Sequence, residues 1–428
     1  MKSRLTWLIG FWVAVAVTGS ALAGCSAPAT PAPAPATPAQ PAAAGGVVNR
    51  AGVKLPADAA PLDQQVLRLA TGEFTWLSLD ASMYNVNDVA TYAFDSCVRA
   101  DKDFNLQPSA CQSWETSADG LIWTFHLPKD RIWSDGKPIT ADDWVFTLQH
   151  YARPDYDFGW YYAMAGIVNW SQVVKGTVPA DQLGVKKIDD YTFTVTTERP
   201  TPYLIKIFAD LWVVPKAYVK DRLNNGTWSL DKANWVFAGP YKLESWTKGK
   251  EMVAVANDKY TGPFKPMMDK IIFTFMDSRT RFNAFKSKEL DVIGNGYEAD
   301  LPPAALAEVL ASPELKKQWI TWPNFITYYL FFDTWNKPFD NLQVRQAFSH
   351  AIDRDALING PLKYQAIAAY TMNPPGFPGE SVEKLKPVQN YDPALAARLL
   401  AEAGYPGGKG FPKLTMYTRS AYPALTNA

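Results

Sequence analysis

Residues 113–143 read SWETSADGLIWTFHLPKDRIWSDGKPITADD and contain the clearest structural signals in the chain. Asp119-Gly120 is typical of a tight turn, and the alternation of apolar and polar residues over 121–127 predicts the second strand of a β-hairpin with one apolar face. Thr140 is followed three residues later by Asp143, which matches a helix capping box with Asp in place of Glu. The stretch therefore predicts a hairpin and a helix that covers its apolar face.

Strands and helices are predicted to alternate along the rest of the chain. Short apolar or alternating runs predict strands at 66–70, 191–197, 239–246, 270–276 and 327–332, and a further one that opens at Leu414. Helices are predicted after Asp340 or Asn341, and between Asp392 and Gly404. We find no internal repeat, and 428 residues exceed one ordinary core. The sequence thus predicts an α/β protein of several lobes.

The N-terminus has the pattern of an export signal. Lys2 and Arg4 precede an apolar run over 5–17, and small residues lead to Leu22-Ala23-Gly24-Cys25. This pattern predicts a lipoprotein signal peptide at 1–24 and a lipid on Cys25, whereas an uncleaved transmembrane anchor is the alternative. Residues 25–61 are predicted to be a Pro/Ala-rich tether. We therefore expect an exported protein, lipid-anchored at the outer face of the cytoplasmic membrane or in the periplasm.

The charge balance excludes some classes of partner. Lys plus Arg and Asp plus Glu number 42 each, so the chain is close to neutral and has no feature that attracts nucleic acid. After Cys25 no run approaches the roughly 20 consecutive apolar residues that a membrane span needs. The membrane is therefore expected as a partner only through the lipid.

Two cysteines remain once Cys25 is assigned to lipid. Cys97 and Cys111 would lie in an oxidising compartment, where a disulfide between them is one reading. Two separate buried thiols are the other, because the sequence does not place their Cβ atoms within bonding distance.

The residues that an enzyme or a metal site would need are few. His126, His150 and His350 are the three histidines, no two of them have metal-ligand spacing, and His350 is expected on the solvent side of a helix. No nucleophile-elbow, zinc-protease, P-loop or dinucleotide motif occurs. The adjacent carboxylates Asp142-Asp143 and Asp189-Asp190 are read as caps and turns, because neighbouring side chains point in different directions. We predict no catalytic residues, no metal and no cofactor.

A set of short motifs in fixed order resembles one known family. The matching fragments are Ser113-Trp114-Glu115, Asp119-Gly120, Trp123-Thr124-Phe125, Trp133-Ser134-Asp135-Gly136, Leu183-Gly184-Val185-Lys186, Val214-Pro215-Lys216, Gly239-Pro240-Tyr241, Asn257 before Tyr260, Pro338-Phe339-Asp340 and Leu399-Leu400-Ala401-Glu402. Together they resemble the peptide-type (family 5, oligopeptide and dipeptide) solute-binding proteins of ABC importers over residues 62–415. Most of these motifs specify turns, caps and core aromatics, so they indicate the fold before the ligand.

The resemblance implies a two-lobed fold of the periplasmic-binding-protein type, in its type II peptide-binding cluster, with an additional inserted lobe. The implied boundaries are 62–99 plus 199–325 for the first lobe, 100–198 for the inserted smaller lobe and 326–428 for the second lobe. Because family members are longer, the second lobe is expected to be incomplete in this chain. The implied partners are a peptide or other small solute and the permease subunits of an importer, and the implied state is a monomer.

Three segments match the cleft-lining positions of the family. They are Tyr84, Asn85 and Asn87; Trp160, Tyr161 and Tyr162; and Asn295, Gly296 and Tyr297. For each segment the alternative is a loop that fills its own core. Asn85 stands where the family often has an acidic residue, so the resemblance leaves the charge of the ligand open.

The leading functional hypothesis is capture of oligopeptides or dipeptides for an ABC importer. A receptor of the same fold for a sugar, an opine or a metal chelate is the nearest alternative. An exported hydrolase or a sensory lipoprotein would be a protein of a different class.

Overall fold

The computed structural model describes residues 47–72, 89–101, 103, 105–154, 159–219, 227–294, 301, 303–321, 326–362, 366–377 and 379–417. Its strands are β1 (Val66–Thr71), β2 (Val98–Ala100), β3 (Leu106–Pro108), β4 (Ser113–Thr116), β5 (Ile122–His126), β6 (Val185–Asp189), β7 (Thr192–Thr196), β8 (Tyr241–Thr247), β9 (Glu251–Ala256) and β10 (Lys270–Phe275). Its α-helices are α1 (Ala90–Ala93), α2 (Ala141–Tyr151), α3 (Gly159–Tyr162), α4 (Trp170–Val174), α5 (Leu204–Ile207), α6 (Lys216–Val219), α7 (Ser278–Lys286), α8 (Pro303–Ala311), α9 (Pro313–Lys317), α10 (Leu342–Ala351), α11 (Arg354–Asn359), α12 (Val382–Leu385) and α13 (Pro393–Glu402).

The predicted hairpin forms half of an antiparallel sheet with the strand order β4-β5-β7-β6. Phe125 pairs with Trp114 on one side and with Phe193 on the other. Its ring stacks at 4.9 Å on both Phe193 and Phe208. The alternation read from the sequence is confirmed, because the apolar positions of β5 form a buried aromatic layer.

Helix α2 covers this layer, as the sequence predicts. The capping box is present, and Asp143 Oδ2 accepts a hydrogen bond from the backbone N–H of Thr140 at 3.0 Å. Trp144, Leu148 and Tyr151 are fully buried on one helical stripe. The Trp144 ring stacks on Phe193 at 5.7 Å, so α2 is joined directly to the sheet.

A second sheet has the order β1-β10-β9-β8. Strand β1 runs parallel to β10, with Leu69 opposite Phe273, whereas the other pairs are antiparallel. One continuous hydrophobic core contains residues of both sheets, including Leu69, Phe273 and Phe125. The lobe boundaries at 99–100 and 198–199 therefore stay a prediction, because one core extends across them.

Residues 47–55, which we call the clasp, dock on the second sheet. The side chain of Asn49 is buried, donates from Nδ2 to the carbonyl of Pro266 at 2.6 Å, and accepts the N–H groups of Ala51 and Val53 at 3.0 Å. The N–H of Arg50 donates to Asp269 Oδ1 at 2.9 Å. Residues 47–55 fall inside the tether predicted over 25–61 and are packed against the fold through buried polar and apolar groups, and the bounds of the tether stay a prediction.

Cys97 and Cys111 are joined by a disulfide with an S–S distance of 2.09 Å and a Cα–Cα distance of 4.6 Å. The two residues flank the short antiparallel pair β2–β3, and both are fully buried. The reading with two separate thiols does not describe this structure.

Helices α10 and α13 pack together in the C-terminal part. Asn341 caps α10 by accepting the N–H of Gln343, and Asp392 caps α13 in the same way, so both predicted caps are confirmed. The expectation for His350 was wrong. This side chain is 6% exposed, and its Nδ1 lies 2.7 Å from the carbonyl of Asn390, a partner that periodicity within α10 could not reveal.

The strands predicted at 327–332 and from Leu414 are not formed in the described residues. Phe331 is 84% exposed and Tyr417 is 92% exposed. A strand requires a neighbouring strand edge for its backbone hydrogen bonds, and the described part of the chain offers none at these positions. The apolar pattern alone therefore did not suffice to predict a strand at either position.

Candidate ligand-binding cleft

The structure describes some of the residues predicted to contact a ligand. Tyr84, Asn85 and Asn87, together with Asn295, Gly296 and Tyr297, lie outside the described residues. The backbone of Trp160 is part of α3, and Tyr161 and Tyr162 follow it in the same helix. The candidate site is therefore described through the elements next to the segments with Tyr84 and with Asn295, and through α3 itself.

The segment with Tyr84 follows the carboxyl end of β1 in the chain. The pairing with β10 continues to that end, where the N–H of Met276 donates to the carbonyl of Thr71 at 3.0 Å. The carboxyl ends of parallel strands in α/β sheets are the usual place for ligands. The location of this segment in the chain thus fits a role at the ligand.

The other flank of this segment is α1, which is held by two of the family motifs. Gly239 donates its N–H to the carbonyl of Ala93 at 2.8 Å, and Asn257 Nδ2 donates to the carbonyl of Gly239 at 2.9 Å. A Cβ on Gly239 would lie 2.6 Å from the carbonyl carbon of Ala93 and from the carbonyl oxygen of Tyr92, so only glycine allows this approach. The Gly239-Pro240-Tyr241 motif therefore fixes the point at which the chain returns from the predicted ligand segment.

The chain shortly before the segment with Asn295 is bound to the same strand. The N–H of Asp291 donates to the carbonyl of Arg68 at 2.9 Å, and the Arg68 guanidinium binds both carboxylate oxygens of Asp291 at 3.0 and 2.7 Å. The hydrogen bond from the Arg68 side chain lowers the pKa of Asp291, although burial acts in the opposite direction. This pair ties the chain four residues before Asn295 to β1. Two of the three predicted segments thus follow β1, or a residue bound to β1, along the chain.

The aromatic segment of α3 is tied to Asp210. The hydroxyl of Tyr161 donates to Asp210 Oδ2 at 3.0 Å, and that of Tyr162 donates to the Asp210 backbone carbonyl at 2.8 Å. Tyr162 is 3% exposed and packs edge-on against Tyr151 at 4.9 Å, and burial raises its pKa well above the usual range. This placement favours a core role for Tyr162, whereas Tyr161 is only half-buried. Contact of Tyr161 with a ligand stays a prediction.

Sequence reasoning missed Asp210 and Arg68. Neither residue lies in a motif, and each meets its partner only through the fold, since 49 residues separate Tyr161 from Asp210 and 223 separate Arg68 from Asp291. Their partners could not be found from spacing along the chain. An alignment that shows paired changes would be the signal to look for.

The described residues also bear on metal and membrane chemistry. In the ranges that the structure describes, no three His, Cys, Asp or Glu side chains are grouped for a metal ion. No helix within those same ranges is long and apolar enough to cross a membrane. Asp143 caps α2 and Asp189 accepts the N–H of Tyr191 in a turn, as predicted, whereas Asp142 forms an ion pair with Lys187 at 2.6 Å.

The architecture is that of the two-lobed periplasmic solute-binding proteins. Listeria monocytogenes OppA bound to peptide matches with a TM-score of 0.63 at 25% identity, over 79% of this chain and 68% of that one. The Escherichia coli murein tripeptide binding protein MppA matches with a TM-score of 0.64 at 26% identity, over 79% of this chain and 66% of that one. The fold class inferred from the sequence is confirmed by these likenesses.

Sequence comparison then defines the family. Residues 105–428 match the bacterial extracellular solute-binding proteins, family 5 Middle, and the chain belongs to this family. The periplasmic oligopeptide-binding protein OppA of Salmonella typhimurium is 31% identical over 331 residues, which cover 76% of this chain and 59% of that protein. The chain thus spans about three fifths of the length of the curated relatives it matches.

Proposed function

We propose that this protein is a solute-binding receptor that encloses oligopeptides or dipeptides in a cleft between its lobes and delivers them to the permease of an ABC importer. The observation that carries the proposal is the likeness of the fold to a receptor solved with peptide bound. The positions of two predicted ligand segments along the chain support it, because one follows β1 and the other follows Asp291, which is bound to Arg68 of β1. Closure of lobes by a hinge is the physical mechanism through which such a fold encloses its solute.

The receptor is proposed to act outside the cytoplasm, anchored by a lipid on Cys25. The Salmonella typhimurium relative is named as a periplasmic protein, which supports export. An anchored receptor stays at high effective concentration near its membrane partner. We propose that it acts as a monomer, and that it binds its solute without converting it, since the family is defined by solute binding.

The test is ligand-dependent stabilisation of the protein expressed from its complete gene. Pools of dipeptides to pentapeptides, sugars, opines and nickel–histidine chelates would be compared by thermal shift. A ligand at 100 times its Kd stabilises the folded state by about 2.7 kcal/mol, so a specific binder is readily seen. Stabilisation by peptides is expected, and stabilisation by sugars, opines or chelates alone would refute the peptide assignment.

The same samples separate a receptor from a hydrolase. After incubation, mass spectrometry of the peptide pool should recover every peptide intact. Catalytic release of shorter products by purified protein would instead establish the enzyme reading.

A further inference from the structure

The clasp carries an exposed apolar residue and an exposed lysine on one face. Val48 and Lys54 are partners in an antiparallel β-bridge, so their side chains lie on the same side of the clasp. Val48 is 50% exposed, and Lys54 is exposed and forms no ion pair with the residues that the structure describes. Leu55, the next residue, is buried. The clasp is thus docked on the fold while its Val48–Lys54 face is open to solvent.

A loop of the second sheet continues this surface. The loop over 261–268, between β9 and β10, passes beside the clasp, because Asn49 Nδ2 donates to the carbonyls of Pro266 at 2.6 Å and of Met267 at 3.4 Å. Met267 is 47% exposed, and Lys265 in the same loop is exposed as well. We call the clasp and this loop together the foot. The foot therefore combines exposed apolar side chains with exposed cations.

The charge of the foot is positive. It contains Arg50, Lys54 and Lys265 and no acidic residue. The charge of Arg50 is matched from outside the foot by Asp269, whose Oδ2 lies 3.6 Å from Arg50 Nε. Lys265, like Lys54, has no carboxylate within ion-pair distance in the described part of the chain. The two lysines leave an excess of positive charge that an anionic surface would complement.

The foot is also the part of the fold that the proposed anchor would hold nearest to a membrane. Residues 26–46 join Cys25 to the first residue of the clasp, so the linker is short and ends at the foot. A surface held in this way meets lipid at a high effective concentration, and a few cations and apolar side chains can then bind it. The occupant that fits the foot is therefore an anionic membrane surface.

The foot lies at the opposite end of the second sheet from the predicted ligand side. Its loop leads into the amino end of β10, which is parallel to β1, whereas the segment with Tyr84 follows the carboxyl end of β1. The tip of the β8–β9 hairpin marks that carboxyl end, because the N–H of Phe275 donates to the carbonyl of Lys250 at 2.8 Å. A membrane at the foot would therefore leave the carboxyl ends of β1 and β10 further from the lipid.

We propose that the foot lies on an anionic phospholipid surface, where Lys54 and Lys265 bind headgroup phosphates and Val48 and Met267 enter the boundary between headgroups and acyl chains. The membrane then orients the receptor, with the carboxyl ends of β1 and β10 directed away from the bilayer. This inference rests on the lipid anchor of the proposed function, because contacts this weak act only on a receptor already held at the membrane.

The experiment uses the lipidated protein from its complete gene. It is reconstituted in vesicles of phosphatidylcholine alone or of equal parts phosphatidylcholine and phosphatidylglycerol. A fluorescent label is attached to Met267→Cys in the foot or, as the matched control, to Lys248→Cys at the hairpin tip. Both side chains are exposed, so labelling leaves the packing of the core unchanged. Vesicle lipids that carry a nitroxide near the headgroup quench a label that contacts the bilayer.

On the anionic vesicles the label at position 267 is expected to be quenched more strongly than the label at position 248. Lys54→Glu combined with Lys265→Glu should lower the ratio of docked to undocked receptor by about 25-fold or more, since each lysine near an anionic surface favours docking roughly fivefold. Lys248→Glu combined with Lys250→Glu, the same charge change at the hairpin tip, should leave the quenching at position 267 as it is in the parent.

Equal quenching at the two positions overturns the inference while the anchor stands. Quenching at position 267 that is as strong on phosphatidylcholine alone, or that survives the Lys54 and Lys265 changes, also overturns it, because headgroup charge would then have no part in docking. A receptor that does not float with either kind of vesicle refutes the lipid anchor of the proposed function, and the inference with it.

Discussion

The neighbouring carboxylates Asp142 and Asp143 are expected to differ sharply in their contribution to stability. Asp143 accepts three hydrogen bonds: from the N–H of Thr140 at 3.0 Å, the N–H of Lys216 at 3.3 Å and Trp133 Nε1 at 3.5 Å. Asp142 is exposed at its charged end and binds Lys187 and Lys216 at the surface. Only Asp143 occupies the capping-box position, and only Asp143 is buried by the fold.

The magnitude for Asp143→Ala follows from these contacts. Loss of a capping interaction costs about 1 kcal/mol, and the longer bonds from Lys216 and Trp133 contribute roughly 0.5–1 kcal/mol each. Burial raises the pKa of Asp143, which shows that its charge is only partly compensated, so we take the lower part of the range. The expected loss in the free energy of unfolding is about 2 kcal/mol. Asp142→Ala should cost about 0–1 kcal/mol, as exposed ion pairs do.

Urea unfolding followed by tryptophan fluorescence measures both variants against the wild type. The difference in midpoint, multiplied by a common m-value, gives the two free-energy changes. If Asp142→Ala destabilised the protein as much as Asp143→Ala, the capping account of α2 would be refuted.

Three further predictions follow from described contacts. The free energy of unfolding of the wild type, relative to that of Asp143→Asn, should fall as pH rises from about 4 to 7. The reason is that burial raises the pKa of Asp143 in the folded state, so folding is favoured while this carboxyl is protonated and less so once it ionises. Urea midpoints of both proteins across that pH range would check the sign. Gly239→Ala should cost about 1–3 kcal/mol by thermal or urea unfolding, since its Cβ meets Ala93 at 2.6 Å, whereas Gly72→Ala, with no atom within 4 Å of its Cβ, should be nearly neutral. Asn49→Ala should loosen the clasp, and faster trypsin cleavage at Arg50 and Lys54 than in the wild type would show it; unchanged cleavage would contradict the docking role of Asn49.

Local signals were the part of the fold that the sequence could predict. Asp119-Gly120 specifies a turn, and the Thr140–Asp143 spacing specifies a helix start, through contacts within a few residues. The strand at 327–332 failed because strand formation depends on a partner elsewhere, and His350 failed because its partner Asn390 lies 40 residues away. The same limit applies to the candidate site. Asp210 could not be predicted as part of it, because only the fold brings Asp210 beside Tyr161, which is 49 residues away in the chain.

The clasp limits the length of chain that could link the proposed lipid anchor to the fold. The leash of the proposed anchor would be residues 26–46, which can span at most roughly 75 Å when fully extended, at 3.3–3.6 Å per residue. Tension on the leash would load Asn49, Arg50 and the loop at Pro266 before it reached β1. β1, which the predicted ligand segment at 84–87 follows in the chain, would therefore bear such tension only after the clasp contacts had broken.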